Sequence, residues 1–280
     1  MDELLGFPEY LYHYTSVQGV DGILNNKLVW ASELHFLNDS KEWKHAFELA
    51  QEQILKRFWA RQGDAEWQYL LRELGEALRY HSWDVCVFSL SATSNQLSQW
   101  RAYCPSEGGY AIRFRTVHLL DQLRAQGFAL FRCEYDLKIQ TKRIDTILSS
   151  VLKELVPDQE KLRSNRSVLV ETTMAAKSEI LNQIAMIAPT LKHPDFKEES
   201  EWRAFKLIFP GDTEMSYHLR GNVAVPHYKL HLDAAPGAFP IDEITVGPGN
   251  HQELARRGLS AIVNKARMRI KVSQTPLRNL

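Results

Sequence analysis

Residues 141–187 read as helix almost throughout, with one interruption near Pro157, and segments of strand character lie on both sides of them. A strand leaves its backbone donors and acceptors unpaired until another strand meets it. The chain must therefore bring strands from its first half against strands from its second half, across a helical block. No long Pro/Gly/Ser linker divides it, and it holds no internal repeat or low-complexity stretch. The expected architecture is one α+β domain over residues 1–280. It would be a mixed, mostly antiparallel sheet with helical insertions at about 39–81 and 141–187.

The smaller pieces follow from apolar spacing. Tyr10 to Tyr14 reads as a strand, Val17 to Asn25 as a short helix and Leu28 to Ser32 as a second strand. Asp39 and Glu42 have capping-box spacing, which starts a helix there. Its apolar stripe is Trp43, Phe47, Ala50, Ile54 and Phe58. A further helix reaches about Tyr80, with Leu70, Leu71, Leu74 and Leu78 inward. Strands are expected at 85–90, 109–114, 129–135, 202–209, 223–232, 241–246 and 268–272, and a helix at 251–265. In 223–232, alternation turns Tyr228, Leu230 and Leu232 one way and His227, Lys229 and His231 the other.

Net charge is zero but unevenly spread. Residues 1–100 carry 8 Lys/Arg against 14 Asp/Glu, while residues 254–280 carry 7 Lys/Arg and no acid. The basic end suits phosphates, and with them nucleic acid; it equally suits pairing with the acidic first third. The first residues lack the basic and apolar regions of a signal peptide, and no apolar run approaches a membrane span. Cys86, Cys104 and Cys133 are odd in number and form no CxxC pair. A cytoplasmic protein with reduced thiols is expected.

Three clusters suit chemistry. Glu199 and Glu201 bracket Ser200 where a strand begins, so alternation points both to one face. Two carboxylates side by side raise the pKa of one, and a carboxylate at a strand end suits stabilising a sugar cation. A solvated acidic patch with Glu198 and Asp195 also fits, although Arg203 follows inside an apolar strand. His13, between Tyr12 and Tyr14, reads as a hydrogen-bonded core residue or a ligand contact. Thr15 and Ser16 cap the next helix or bond a ribose or an amide. In the third cluster, Ser89 leads into a polar loop holding Gln99, Trp100 and Tyr103. The two aromatics offer stacking faces for a flat cation, or form one helix face against the core.

Other signals are discounted. His227 and His231 have the helical spacing of metal ligands, but they sit in a strand pattern, so no metal is expected. Gly247-Pro248-Gly249 lacks the Lys of a P-loop and the glycine spacing of a dinucleotide turn. No GxSxG is present.

The motifs together resemble the DUF2971 family of bacterial proteins. The matching stretches are Tyr12-His13-Tyr14-Thr15, Trp30-Ala31-Ser32 with Asn38-Asp39, Phe88-Ser89, Trp100 with Tyr103, Gly109 to Phe114, Glu199 to Arg203 and Val246-Gly247-Pro248. That family's first motif is similar to the ADP-ribosyltransferases of the His-Tyr-Glu class. The resemblance implies an ADP-ribosyltransferase-like core and NAD as substrate. His13, Tyr14, Thr15, Ser89, Trp100 and Tyr103 would contact NAD. Glu201 would hold the nicotinamide ribose and stabilise the oxocarbenium ion, with Glu199 as base toward the acceptor. It also implies that His13 and Glu201, 188 positions apart, approach one cleft. A toxin or phage-defence effector modifying protein or nucleic acid is the expected setting. The competing readings are a nucleic-acid-binding or nuclease-like module using the basic end, and a non-catalytic ligand-binding scaffold.

Overall fold

A computed structural model describes residues 6–37, 40–79, 84–105, 108–156, 159–209 and 212–277. The chain opens with β1 (Tyr10–Thr15), α1 (Val17–Asn26) and β2 (Leu28–Glu33). Ser16 caps α1 by accepting from the Gly19 amide, as its position before an apolar-periodic run requires. Next come α2 (Ser40–Ala60) and α3 (Ala65–Arg79), then β3 (Asp84–Ser91), α4 (Leu97–Tyr103), β4 (Tyr110–Arg115), α5 (Thr116–Ala125) and β5 (Ala129–Arg132). The second helical block is α6 (Leu137–Leu155), α7 (Gln159–Ser164) and α8 (Arg166–Ile187). The chain closes with β6 (Glu201–Ile208), β7 (Met215–Arg220), β8 (Val223–His231), β9 (Ile241–Val246), α9 (Gln252–Lys265) and β10 (Lys271–Gln274). Asn38, Asp39 and Pro157 lie outside the described residues.

One ten-stranded sheet runs through the molecule in the order β10-β9-β4-β1-β3-β2-β8-β7, with β6 on the other edge of β3 and β5 on β6. Every pairing among these strands is antiparallel except β9 with β10. The fold is thus mixed α and β around a mostly antiparallel open sheet. The sheet branches at β3. Its full length pairs with β6 on one side, while β1 holds only Ser91 and β2 only Cys86 and Val87 on the other. β1 and β2 therefore diverge along a shared edge.

Strand alternation divides the core in two. Cys86, Phe88 and Leu90 of β3 join Leu11, Ile112, Phe114, Trp202 and Ala204 on the face covered by α1, α5 and α9. Val85 and Val87 join Phe205 on the opposite face, under α2, α3, α6 and α8. The apolar stripe Trp43, Phe47, Ala50 and Ile54 is buried there together with Leu70, Leu71, Leu74 and Leu78. The two helical blocks pack on each other as one layer. They bury an apolar face that neither block could hide alone.

Several elements depart from the sequence reading. β5 stops at Arg132, short of the expected 135, and α4 is a helix within the stretch expected as a polar loop. β7 is a half-exposed edge strand whose burial shows no alternation, so no period marked it. α5 turns Leu119, Leu120 and Leu123 inward and was left without an assignment. β10 begins three residues later than expected, because Arg267 takes the left-handed conformation (φ 54°) behind α9 and Met268 bonds back to Val263. His227, on the strand face away from Tyr228, is buried there, covered by the Trp30 ring at 4.6 Å and the His218 ring at 5.1 Å.

Candidate functional site

The predicted site residues meet where β1, β3 and β6 come together. A cavity of about 50 Å³ is lined by Tyr12, His13, Tyr14, Ser89, Leu90, Ser91, Gln99, Tyr103, Glu199 and Glu201. β1 supplies the aromatics and β3 the serines. α4 supplies Gln99 and Tyr103. The short 3-10 turn Pro194–Glu199 and the start of β6 supply the carboxylates.

Register sets which side each side chain faces. Tyr12 lies opposite Ser91, and Ser91 opposite Glu201, so these three share a face with Tyr14, Ser89 and Arg203. His13 points to the other face. Its ring lies 4.8 Å from that of Phe88, and its Nδ1 is 3.1 Å from the Ser89 carbonyl oxygen. Burial holds the imidazole below its usual pKa, against the opposing pull of that hydrogen bond. His13 and Glu201 thus border one cavity but lie on opposite faces of the sheet. They approach one cleft, as the resemblance implies, but from strand positions that alternate to opposite sides. His13 bridges β1 to β3 just where the two strands diverge.

The carboxylates are not a solvated patch. Glu201 is 5% exposed, Arg203 1% and Lys192 0%. Arg203 Nε donates to Glu201 Oε1 at 2.9 Å and Nη2 to Oε2 at 3.1 Å. Lys192 Nζ donates to Glu201 Oε2 at 2.7 Å and also to Glu199. Burial raises the Glu201 carboxyl, but the Arg203 and Lys192 cations outweigh it and hold the pKa down at about 2. Glu201 is therefore not a raised carboxylate, because the Arg203 and Lys192 cations stand against it. The equal pointing expected from alternation fails as well. Glu199 belongs to the 3-10 turn, Ser200 is left-handed (φ 45°), and only Glu201 is in the strand. Convergence on Lys192 comes from the turn. Tyr103 donates to Glu199 Oε1 at 3.3 Å, and Ser91 donates to the Glu199 carbonyl at 2.8 Å. The Glu201 amide donates to Tyr135 Oη at 2.9 Å. Both carboxylates line the cavity and neither cation does.

The sequence did not single out Lys192 or Tyr135, and it gave Tyr12 a place in a motif but no role in the site. A lone Lys in Leu191-Lys192-His193 carries no periodic signal, and only the tertiary fold turns it inward. Trp100 and Thr15 do not line the cavity. Trp100 is fully buried, edge-on to Tyr14 at 4.7 Å, with its indole N–H donating to Asn95 at 3.0 Å. With Trp100 in the core and Tyr14 6% exposed, Tyr103, 40% exposed, is the accessible ring of these three. Tyr14 donates from its hydroxyl to the Thr93 carbonyl at 2.7 Å, and burial pushes its pKa up to about 12.

Trp100 also explains the glycine of Val246-Gly247-Pro248. A Cβ on Gly247 would stand 2.5 Å from Trp100 Cζ3 and 3.0 Å from the Gly109 carbonyl oxygen. Gly247→Ala is expected to destabilise the protein by about 1–3 kcal/mol, the usual range for overpacking. A urea midpoint equal to that of the natural chain would show that Trp100 has room to move.

The basic end is only partly paired. Arg256 and Arg257 bind Glu253, and Lys271 binds Glu243. Among the described residues, no ion pair joins this end to the acidic first third, but Leu259, Val263 and Ile270 pack in one core with Leu11, Val20, Ile23 and Leu24 of that third. The helix pairs locally, through Glu253 just outside the acid-free stretch. No helix among the described residues is long and apolar enough to cross a membrane.

Comparison with known proteins places part of this arrangement. Residues 99–204 match DUF2971, described as a protein of unknown function. The match runs from α4 to β6 and takes in Trp100, Tyr103, Gly109 to Phe114 and Glu199 to Arg203. It supports the family placement read from the motifs. No curated protein and no solved structure matches the chain.

Proposed function

We propose that the chain is an ADP-ribosyltransferase acting on NAD, with Glu201 and Glu199 as the carboxylates of its site. One observation carries the reading. Two carboxylates line a cavity whose other walls are three tyrosines, two serines, His13, Leu90 and Gln99, and their balancing cations stand outside that lining. Such a site favours a flat cationic group or a developing positive charge. Cleavage of NAD supplies both. The glycosidic C–N bond breaks with its electron pair leaving on nicotinamide, and the ribose becomes an oxocarbenium ion. A nucleophile on the acceptor, or water, then bonds to the anomeric carbon and gives up its proton. Glu201 stays ionised at neutral pH, as a stabiliser of that cation must. Glu199, at the more open edge, suits the proton acceptor. A toxin or defence role is part of the same proposal.

Small-ligand pockets span roughly 300–1,000 Å³, so a cavity of about 50 Å³ does not admit the dinucleotide as it stands. Binding requires α4 to move from the turn 194–199, which it packs beside. The Tyr103–Glu199 hydrogen bond is the contact to break. NAD is therefore expected to raise the melting temperature, by the equivalent of about 2.7 kcal/mol at a hundredfold excess over Kd. Unchanged melting at millimolar NAD would end the proposal and leave the non-catalytic scaffold.

A nucleic-acid acceptor is favoured by a groove of about 510 Å³ at the basic end, lined by Lys27, Arg115, His118, Arg267 and Arg269. Charge removal at Arg267 and Arg269 should weaken RNA or DNA binding and flatten its salt dependence.

A further inference from the structure

At the end of β3 far from the cavity, Glu33, His35 and Asp84 each present one ligand atom, all within 4.8 Å of one another. We propose that these three residues bind a first-row transition dication, of which zinc is the natural probe. Zinc takes imidazole nitrogen and carboxylate oxygen at roughly 2.0–2.2 Å, so donors at tetrahedral angles stand about 3.4 Å apart. A closing on the order of an ångström completes the set. The exposed side chains of His35 and Asp84 can supply it by rotation.

The local fold prepares the site. Glu33 is the last residue of β2 and pairs with Cys86 of β3, two positions from Asp84, so both carboxylates project from one face. The chain then turns into the 3-10 helix Leu34–Phe36. The His35 amide donates to both Glu33 oxygens at 3.1 and 3.2 Å, and His35 Nδ1 lies 2.7 Å from Glu33 Oε1. That last separation is the spacing of two donors on one metal ion.

Charge balance supplies the second argument. Glu33 is 4% exposed and is held by the His35 amide and by the His35 imidazole, a cation when protonated, whose proton a metal ion would replace. Among the described residues neither Glu33 nor Asp84 has an ion pair with Lys or Arg. Lys206, on the same face, binds Glu214 at 3.6 Å and donates to Tyr228 Oη at 2.8 Å. The exposed side of His35 and Asp84 leaves coordination positions for water or a ligand. Seven residues along β3 separate Asp84 from Ser91, about 23 Å at strand rise. The metal therefore plays no part in chemistry at Glu201, and its test is independent of NAD.

The test titrates the metal-free full-length protein with Zn²⁺ against a chromophoric chelator, then with Co²⁺ for its visible spectrum. One Zn²⁺ per chain is expected, with a cobalt spectrum of mixed nitrogen and oxygen ligation. Asp84→Asn and His35→Gln change exposed side chains and leave the fold intact by melting temperature. Each should weaken Zn²⁺ at least tenfold. No saturable binding at one equivalent would overturn the proposal. So would variants that bind as tightly as the natural chain, or Mg²⁺ and Ca²⁺ competing on equal terms with Zn²⁺.

Discussion

Lys192→Met is expected to cost about 3–5 kcal/mol of stability, the usual penalty for removing one partner of a buried ion pair. For a chain of this size that is a fall in melting temperature on the order of 10 °C. Met keeps the length and apolar stem of Lys, so the loss reports charge. It removes the one side chain that donates to both Glu199 and Glu201 and leaves Arg203 on Glu201. Adding Glu201→Gln to Lys192→Met should recover part of the loss by restoring neutrality. If the double variant is instead less stable by the sum of both changes, lost packing and not charge imbalance is the cause. Acid sensitivity follows from the same cluster. The Glu201 pKa is about 2 folded against an ordinary 4.5, so the unfolded chain takes up the proton first. The contribution to stability is complete above the ordinary carboxylate range and disappears as pH falls from about 4.5 toward 2. In Lys192→Met this acid-dependent loss should shrink, because the carboxylate is held less firmly.

Glu201→Gln is expected to slow nicotinamide release on the order of a hundred- to thousandfold, as removal of one preorganised electrostatic contact does. The loss should fall on kcat and spare NAD affinity, since the charge it answers exists only in the transition state. In the solvated acidic patch that the sequence also allowed, this change would cost little stability. Burial at 5% exposure changes that, and Gln leaves Arg203 underpaired. Rate and melting temperature must therefore be read together, below the transition of the variant. Glu199→Gln, whose side chain is 12% exposed, should impair transfer to an acceptor more than hydrolysis. Nicotinamide release from the folded Glu201→Gln variant at the natural rate would remove Glu201 from the chemistry.

Local pattern was enough to place β1, α1, β2, α2, α3 and most of the second half. Caps, apolar stripes and strand alternation act over a few residues, and the residues that set them are adjacent in the sequence. The same patterns gave one α+β domain and singled out the stretch Glu199 to Arg203, because a charged pair inside an apolar strand is visible without a structure. Pairing partners were not visible. β1 meets β3 through Tyr12 and Ser91 and then leaves it, and this single contact puts His13 and Glu201 on opposite faces. Lys192 enters the core because the turn after α8 directs it toward β6, a long-range placement that its neighbours do not encode. Trp100 and Tyr103 share one short helix, yet one is fully buried and the other 40% exposed. Composition and spacing fix what each segment can be. Which side chains share a cavity, and which charges neutralise one another there, depends on strand register and turn geometry across the whole sheet, where a shift of one residue reverses every face.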